Sequence, residues 1–298
     1  RFATFWLKDK LRYILDASKI ERALPIHSCA LHQEKGCDME SSAHSSSAKH
    51  IIVRQRHELR RRSLIVSAVH DLSRRMRRIV LTSPELADFR SLSPDDHVKV
   101  FFPTDQGEQM RDFTPRRFDV QAQTLTIDFA LHESGIATRW ATQATVGQRL
   151  IVGGPRGSRV VPDDFDWYAF FGDETALPAI GRWVESLRPQ VPVLTAVVIA
   201  DESESQQLQT RADHRAVWIS RGEPSEEDSE RLLPYVERLA NCSGDGFVWI
   251  AGESHMVGVI RDQVLAAGHP RDWLEARGYW KRGETDSFSD SASRERHR

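Results

Sequence analysis

Residues 167–187 read WYAFFGDETALPAIGRWVESL and change from a strand pattern to a helix pattern within a few residues. The unbroken apolar and aromatic run from Trp167 to Phe171 is typical of a strand buried on both faces. From Glu174 onward the apolar side chains recur at helical spacing, at Leu177, Ile180, Val184 and Leu187. A buried strand that leads directly into a helix predicts a parallel sheet covered by helices.

The alternation of strand and helix continues toward the end of the chain. The further predicted elements are strands over 193–200, 216–220 and 247–251 and helices over 229–239 and 255–267. Ligands of such sheets bind outside the carboxyl ends of the strands. In this chain those ends carry acidic side chains, at 172–175, 201–202 and 252–253.

The preceding part of the chain has the patterns of an antiparallel sheet. Residues 124–131 alternate, with Leu125, Ile127 and Phe129 on one face, and this period of two predicts a half-buried strand. Shorter strand patterns are at 76–82, 98–102 and 149–152. We therefore predict an antiparallel six-stranded barrel followed by a parallel-sheet nucleotide-binding α/β domain. The expected boundaries are a disordered extension over 1–50, the barrel over 51–160, the α/β domain over 165–284 and a disordered tail over 285–298.

The composition narrows the function classes. The 298 residues carry a net charge of -2, and no stretch has the roughly 20 apolar residues of a membrane helix. Cys29, Cys37 and Cys242 form neither a disulfide framework nor a metal cluster, and we expect reduced thiols in a cytoplasmic protein. If the protein transfers electrons, an organic cofactor must carry them. Met39 is the first methionine, and the residues before it are expected to be upstream sequence or a disordered extension.

One extended segment, residues 111–116, carries the most chemical information. Arg111 and Arg116 flank an aromatic residue and a hydroxyl, and Pro115 keeps Thr114 out of a helix. A guanidinium binds pyrophosphate as a fork, an aromatic ring covers an isoalloxazine ring, and a hydroxyl bonds a ring nitrogen. The alternative, from composition alone, is a charged edge strand.

This segment resembles the flavin motif Arg-x-Tyr-Thr-x-Arg of the siderophore-interacting protein family, a branch of the ferredoxin-reductase-like flavoproteins. The chain matches at Arg111, Thr114 and Arg116 and has Phe113 where the family usually has Tyr. The phenylalanine keeps the stacking surface but loses the phenolic hydrogen bond. Further segments resemble the family in the same order, at 128–132 with 135–141, 154–158, 172–180, and 249–253 with 278–283.

The resemblance implies FAD in the barrel, NADPH or NADH across the α/β domain, and reduction of ferric iron in a siderophore. Thr114 is the predicted catalytic residue, as the hydroxyl that tunes the flavin. The residues that the resemblance assigns to cofactor binding are Arg111, Phe113, Thr114, Arg116, Asp128, His132, Ile136, Ala137, Thr138, Trp140, Gly157, Ser158, Gly172, Asp173, Glu174, Thr175, Ala176, Gly252, Glu253, Tyr279 and Trp280. No resident metal, nucleic acid or membrane partner is expected, and a monomer is predicted.

Charged residues suggest where the ligands approach. An anionic ferric siderophore is expected to meet the arginines of 74–78 together with Lys281, whereas the arginines of 54–62 fit a solvated, partly disordered basic stretch. An acidic strand end at 201–202 favours NADH, while Arg215 and Arg221 would suit the 2′-phosphate of NADPH, which the family resemblance favours. Glu174 is unfavourable beside a phosphate and is expected to cap the following turn.

Three alternatives remain open. A flavin reductase or diaphorase without a siderophore substrate would need the same flavin residues. A nucleic-acid-binding protein would use the arginines of 54–78, although no recognised nucleic-acid motif accompanies them. A siderophore-binding protein that has lost its flavin would fit the change at Phe113.

Overall fold

The computed structural model of the chain describes residues 49–132 and 135–283. The predicted tail over 285–298 and almost all of the predicted extension over 1–50 lie outside these described residues. Within them, no helix is long and apolar enough to cross a membrane.

The described chain contains fourteen strands and four α-helices. The strands are β1 (Val53–Arg56), β2 (Arg61–Asp71), β3 (Met76–Thr82), β4 (Val98–Thr104), β5 (Gly107–Phe113), β6 (Pro115–Asp119), β7 (Thr124–Ala130), β8 (Arg149–Gly153), β9 (Gly157–Val160), β10 (Trp167–Asp173), β11 (Pro192–Ile199), β12 (Asp213–Ser220), β13 (Gly246–Glu253) and β14 (Leu274–Trp280). The helices are α1 (Ile136–Gln143), α2 (Leu177–Ser186), α3 (Asp228–Val236) and α4 (Ser254–Ala266).

Seven strands form the antiparallel sheet of the barrel, in the order β5-β4-β8-β2-β3-β7-β6. Its two edge strands, β5 and β6, are separated in sequence by Thr114 alone. A single bent segment therefore pairs with β4 at one edge and β7 at the other, and this curls the sheet on itself. The predicted antiparallel barrel is confirmed, and the count of six strands follows if β5 and β6 are taken as one.

The barrel interior follows from the period of two in β7. Leu125, Ile127 and Phe129 have no exposed surface, and they pack with residues of β2, β3, β4 and β8. Helix α1 covers one end of this core with Trp140 and Ala141. Burying this apolar face is what holds the curved sheet closed.

The second sheet is entirely parallel, in the order β12-β11-β10-β13-β14. Every residue of the central strand β10 is buried, as its continuous apolar run predicted. Strand β14 was missed in the sequence because Glu275 and Arg277 interrupt its apolar pattern. The confirmed parallel sheet places the carboxyl ends of β10, β11 and β13 along one edge.

Candidate functional site

Thr114 lies where the barrel meets the parallel sheet. Its side chain is buried, and its hydroxyl lies next to the Tyr279 hydroxyl of β14, where it opposes the rise in the pKa of that phenol. The strand break is local, because β5 ends at Phe113 and β6 begins at Pro115, whose ring holds the preceding residue in an extended conformation. Two predicted site residues, 165 positions apart in sequence, are therefore in direct contact.

A charged network continues from Tyr279. Its hydroxyl donates to Asp95 Oδ1 at 3.1 Å, and Arg277 Nε donates to Asp95 Oδ2 at 3.2 Å. Arg277 also pairs with Glu275, which accepts from Arg159 Nη1 at 2.5 Å. Sequence reasoning did not select Asp95, Glu275 or Arg277, and the only local signal was an adjacent pair of acids at 95–96.

The environment of this network changes the acidity of two groups. Burial, together with the negative charge of Glu275, raises the pKa of Asp95 to about 7, although Arg277 and Tyr279 oppose this shift. Burial and the neighbouring Asp95 raise the pKa of the Tyr279 phenol. Asp95 therefore changes protonation near neutral pH while Tyr279 remains a neutral donor.

Phe113 and Arg111 lie next to Thr114 on β5. The Phe113 ring is half-buried and packs on Phe129, with 4.4 Å between ring centroids. Arg111 is half-buried, and its Nη1 donates to the Met110 carbonyl at 2.8 Å. Both predicted cofactor residues thus border the site and are partly accessible.

Helix α1 supplies a second group of predicted cofactor residues. Gly135, at φ +126°, precedes the helix, and no side chain among the described residues caps its first amides. Thr138 Oγ1 accepts a hydrogen bond from the backbone N–H of His132 at 3.2 Å. Ala137, another predicted cofactor residue, lies in the first turn of α1. Ile136 and Trp140 are buried in the barrel core and support the helix from beneath. An uncapped helix start of this kind suits a diphosphate.

Arg116 and Asp128 have protein partners. Arg116 is buried and forms a fork with Glu185 of α2, at 2.8 and 2.6 Å. Asp128 accepts two hydrogen bonds from Arg78, each at 2.7 Å. The Arg116–Glu185 pair connects the barrel to the parallel sheet's helix layer, so its visible role is to fix the two parts together.

Gly157 and Ser158 of β9 also have packing partners. A Cβ at Gly157 would lie 2.7 Å from the carbonyl oxygen of Gln55, so only glycine allows β1 to approach β9. The Ser158 hydroxyl donates to Asp96 at 2.6 Å and hydrogen-bonds His57 at 2.7 Å.

Asp173 joins the carboxyl ends of three strands. It is fully buried and accepts from Thr175 N at 2.9 Å, Glu253 N at 2.8 Å and Trp280 Nε1 at 2.8 Å. Gly252, at φ +137°, has no space for a side chain because a Cβ would lie 2.6 Å from the Asp173 carboxylate. The structure thus brings together predicted residues from β10, β13 and β14.

The glycine and alanine of the same edge allow close packing. A Cβ at Gly172 would meet the Ala251 carbonyl oxygen at 2.5 Å and the Ala176 methyl at 2.7 Å. These two predicted residues therefore set the distance between β10, β13 and the turn that leads into α2.

Asp173, and not Glu174, caps that turn, so the predicted cap at Glu174 is wrong. Glu174 is instead ion-paired with the buried Arg221 side chain at 2.5 Å, and Arg221 also contacts Asp228 at 2.6 Å. Burial and the charge of Asp173 raise the pKa of Glu174 to about 7, with Arg221 opposing. The guanidinium considered for a 2′-phosphate is thus already bound by two carboxylates. Arg215 pairs in register with Leu194, near the amino ends of the strands.

The basic residues of 74–78 differ in their surroundings. Arg75 pairs with Glu223 at 2.9 Å, and Arg77 pairs with Asp71 at 2.7 Å, while Arg78 is held by Asp128 as described above. Arg74 and Lys281 have exposed side chains. The arginines of 54–62 lie in β1, β2 and the loop between them, where Arg60, Arg61 and Arg62 each pair with an acidic residue.

Profiles of two related domain families match most of the described chain. Residues 165–283 match the family described as siderophore-interacting protein, and 65–110 and 103–159 match the siderophore-interacting FAD-binding domain. The chain belongs to the siderophore-interacting protein family. This confirms the predicted family, and the cofactor FAD follows from the family that matches the barrel.

Individual relatives and solved structures show how much of the chain is similar to known proteins. The NADPH-dependent ferric-chelate reductase of Escherichia coli (strain K12) is 33% identical over 251 residues, 76% of this chain and 95% of that protein. The solved siderophore utilization protein from T. fusca is 33% identical, with a TM-score of 0.74 over 79% of this chain and 98% of that one. The solved Amycolatopsis cytochrome P450 reductase GcoB is 19% identical, with a TM-score of 0.62. The match covers 76% of this chain and 71% of that chain, and it shows that the two share a fold.

Proposed function

We propose that this protein is a FAD-dependent reductase that passes electrons from NADPH to ferric iron held by a siderophore. The observation that carries the proposal is the contact between Thr114 of the barrel and Tyr279 of the parallel sheet, at the seam of the two cofactor folds. The names of the Escherichia coli relative and of the ferric vibriobactin reductase ViuB of Vibrio cholerae, 26% identical over 76% of this chain and 90% of that protein, support the same activity.

The barrel residues fit FAD. The uncapped start of α1 offers backbone amides to the diphosphate, and the Arg111 guanidinium lies on the neighbouring segment. Phe113 offers a flat apolar surface, and Thr114 offers a hydroxyl beside it. When bound, FAD accepts a hydride from the nicotinamide and passes on its electrons one at a time. The region 51–160 would hold this cofactor.

The carboxyl edge of the parallel sheet fits the nicotinamide nucleotide, and the region 165–284 would hold it. The turns 172–176 and 252–254 lie side by side there, fixed by Asp173. Asp173 also holds Trp280, and Asp95 holds Tyr279, so β14 carries two anchored aromatic side chains beside this edge of the sheet. These rings would orient the reacting faces and limit the access of water.

The substrate site would be open and basic. Arg74 and Lys281 are exposed and carry charges opposite to those of an anionic ferric siderophore. That the protein acts as a cytoplasmic monomer without a nucleic-acid partner stays a prediction from the sequence.

Acceptor specificity tests the proposal against the flavin reductase alternative. The FAD-loaded chain is given NADPH without oxygen, and turnover is compared with a ferric siderophore and with free flavin as acceptor. The proposal predicts faster iron reduction at equal acceptor concentration. Rapid reduction of free flavin with a negligible rate on ferric chelates would favour the diaphorase.

A further inference from the structure

We propose that Asp95 is the terminal proton acceptor of a relay that runs from Thr114 through Tyr279, and that it accepts the proton released when electrons leave the flavin for iron. The inference rests on the proposed function and extends it to a residue that neither the sequence motifs nor the family match selects. Asp95 acts through the hydroxyls of Thr114 and Tyr279. It is therefore a positioning and proton-accepting residue that does not itself touch the cofactor.

The hydrogen-bond directions favour proton movement toward Asp95. An ionised carboxylate can only accept, so the Tyr279 hydroxyl donates to Asp95 at 3.1 Å. With its single hydrogen used in this way, the Tyr279 oxygen is left as an acceptor for the neighbouring Thr114 hydroxyl, which lowers the pKa of the phenol. The Thr114 oxygen then retains lone pairs for a donor on the cofactor side. Each hydroxyl can pass its hydrogen onward as it receives another.

The chemistry of the reaction requires such an exit. A hydride carries two electrons and one proton, whereas ferric ions accept electrons only. The balance is NADPH plus two Fe(III) giving NADP⁺, two Fe(II) and one H⁺. The one proton left by this balance would enter at the Thr114 oxygen, the Thr114 proton would pass to Tyr279, and the Tyr279 proton would pass to the Asp95 carboxylate.

The charges around Asp95 suit a proton acceptor. Arg277, Glu275 and Tyr279 face it from β14, and Arg182 lies nearby on α2. Asp96, next to it on the same loop, is bonded to Ser91 and Ser158. Because burial and Glu275 raise the pKa of Asp95 to about 7, the residue both accepts and releases a proton near neutral pH. Arg277, with 50% of its side chain exposed, connects it to solvent.

Two variants separate the relay from a general effect of charge. Asp95→Asn keeps the shape of the side chain and removes the ionisable group. Tyr279→Phe keeps the aromatic ring and leaves the Asp95 carboxylate in place, but it removes the hydroxyl that the relay needs. Asp105→Asn, at an exposed aspartate in the β4–β5 turn, is the matched control. Each full-length, FAD-loaded variant is reduced with one equivalent of NADPH without oxygen and mixed with ferric citrate between acidic and basic pH.

In the wild type and in Asp105→Asn, the rate of flavin reoxidation is expected to rise with pH as the Asp95 carboxylate forms. The apparent pKa of this rise should be about 7. Asp95→Asn and Tyr279→Phe should both lose this pH dependence and slow by about 100-fold at pH 8, the lower end of the range for positioned acid–base groups. A pH-indicator dye should show proton release to solvent delayed in both variants.

Infrared spectroscopy of the resting protein, without NADPH or iron, gives an independent measurement. A carboxylic-acid C=O band that titrates near pH 7 should be present in the wild type and in Tyr279→Phe and reduced in Asp95→Asn. Glu174, which has a similarly raised pKa, contributes equally to all the proteins and cancels in the difference spectra.

The possible failures are distinguishable. A pH dependence that persists in Asp95→Asn, or in Tyr279→Phe alone, would overturn the relay while leaving the reductase intact. If NADPH does not reduce the flavin of the wild-type protein, the proposed function fails and the relay with it.

Discussion

At the scale of single residues, two aspartates show how burial changes the role of one motif. Asp173 and Asp201 each follow a parallel strand and accept from the amide and the hydroxyl of the residue two positions on, Thr175 and Ser203 respectively. Asp201 is exposed, whereas Asp173 is buried and also receives Trp280. The same local turn thus forms only a cap at Asp201, whereas at Asp173 it also connects the ends of neighbouring strands.

We predict that Asp173→Asn lowers the free energy of unfolding by about 2–3 kcal/mol, because several donors lose a charged acceptor inside the protein. The matched change Asp201→Asn should cost less, because water replaces the lost acceptor. Urea denaturation of the two variants checks this. Equal losses would contradict the organising role of Asp173.

Glu174 should make stability depend on pH. Its pKa is raised from 4.5 to about 7 in the folded protein, so between these values the folded chain keeps a proton that the unfolded chain has lost. Its contribution therefore makes the free energy of unfolding fall as pH rises through this window.

We expect Glu174→Gln to reduce that fall by on the order of 2 kcal/mol, measured by denaturation at pH 4.5 and pH 8. The exposed Glu226→Gln serves as control and should leave the pH profile unchanged. A profile for Glu174→Gln as steep as that of the wild type would show that another group is responsible.

Sequence motifs selected the residues proposed to contact the cofactors, but not the residues that support them. Thr114 and Tyr279 were selected by the family resemblance, and the structure joins them. Asp95 was missed because its partner Arg277 lies 182 positions away, and no local pattern reports such a contact. Arg116 was matched by motif, but its pairing with Glu185 depends on how α2 packs against β6.

At the scale of elements, two helical glycines have opposite surroundings. A Cβ at Gly181 of α2 would lie 2.8 Å from the Arg116 guanidinium, whereas one at Gly258 of α4 would meet nothing within 4 Å. The first glycine therefore makes room for the Arg116–Glu185 pair between the barrel and α2, and the second has no packing reason to be glycine.

Gly181→Ala should lower the free energy of unfolding by roughly 1–3 kcal/mol, because the methyl group displaces a buried ion pair. Gly258→Ala should raise it by up to about 1 kcal/mol through helix propensity. Thermal or urea unfolding of the pair provides the measurement. Stabilisation by both substitutions would mean that Arg116 moves aside without cost.

Strands with a uniform burial pattern were predicted from the sequence, and strands with mixed surroundings were missed. Strand β10 is buried on both faces, so a continuous apolar run identifies it, and β7 is half-buried, so alternation does. Strand β14 lies at the sheet edge with Glu275 and Arg277 in charged contacts, and its pattern has neither period. The closure of the barrel at Thr114 depends on pairing between distant strands and leaves no local pattern.

At the scale of the whole molecule, polar contacts hold the barrel to the parallel sheet. Besides Arg116–Glu185, the backbone amide of Arg75 donates to the buried Glu204 at 3.1 Å, and Arg182 Nη1 donates to Ser91 at 3.0 Å. These directional bonds act together with apolar packing, because Met76 of β3 lies in the core of the parallel-sheet part.

We predict that reversing charge at Arg74 and Lys281, as Arg74→Glu with Lys281→Glu, slows reduction of an anionic ferric siderophore by about 10-fold at low salt. The reason is the loss of electrostatic steering, and the difference should shrink as salt is added. Arg54→Glu with Arg56→Glu makes the same change of charge on exposed β1 positions and is the control. Equal slowing by both pairs would assign the effect to net charge.

If electrons pass from NADPH through bound FAD to siderophore iron, the visible absorption spectrum of the flavin should report each transfer. The purified protein is supplied with FAD, given NADPH without oxygen, and then mixed with a ferric siderophore. We predict flavin bands that bleach with NADPH and return when the chelate is added. A protein that remains colourless and takes up no FAD would contradict the claim.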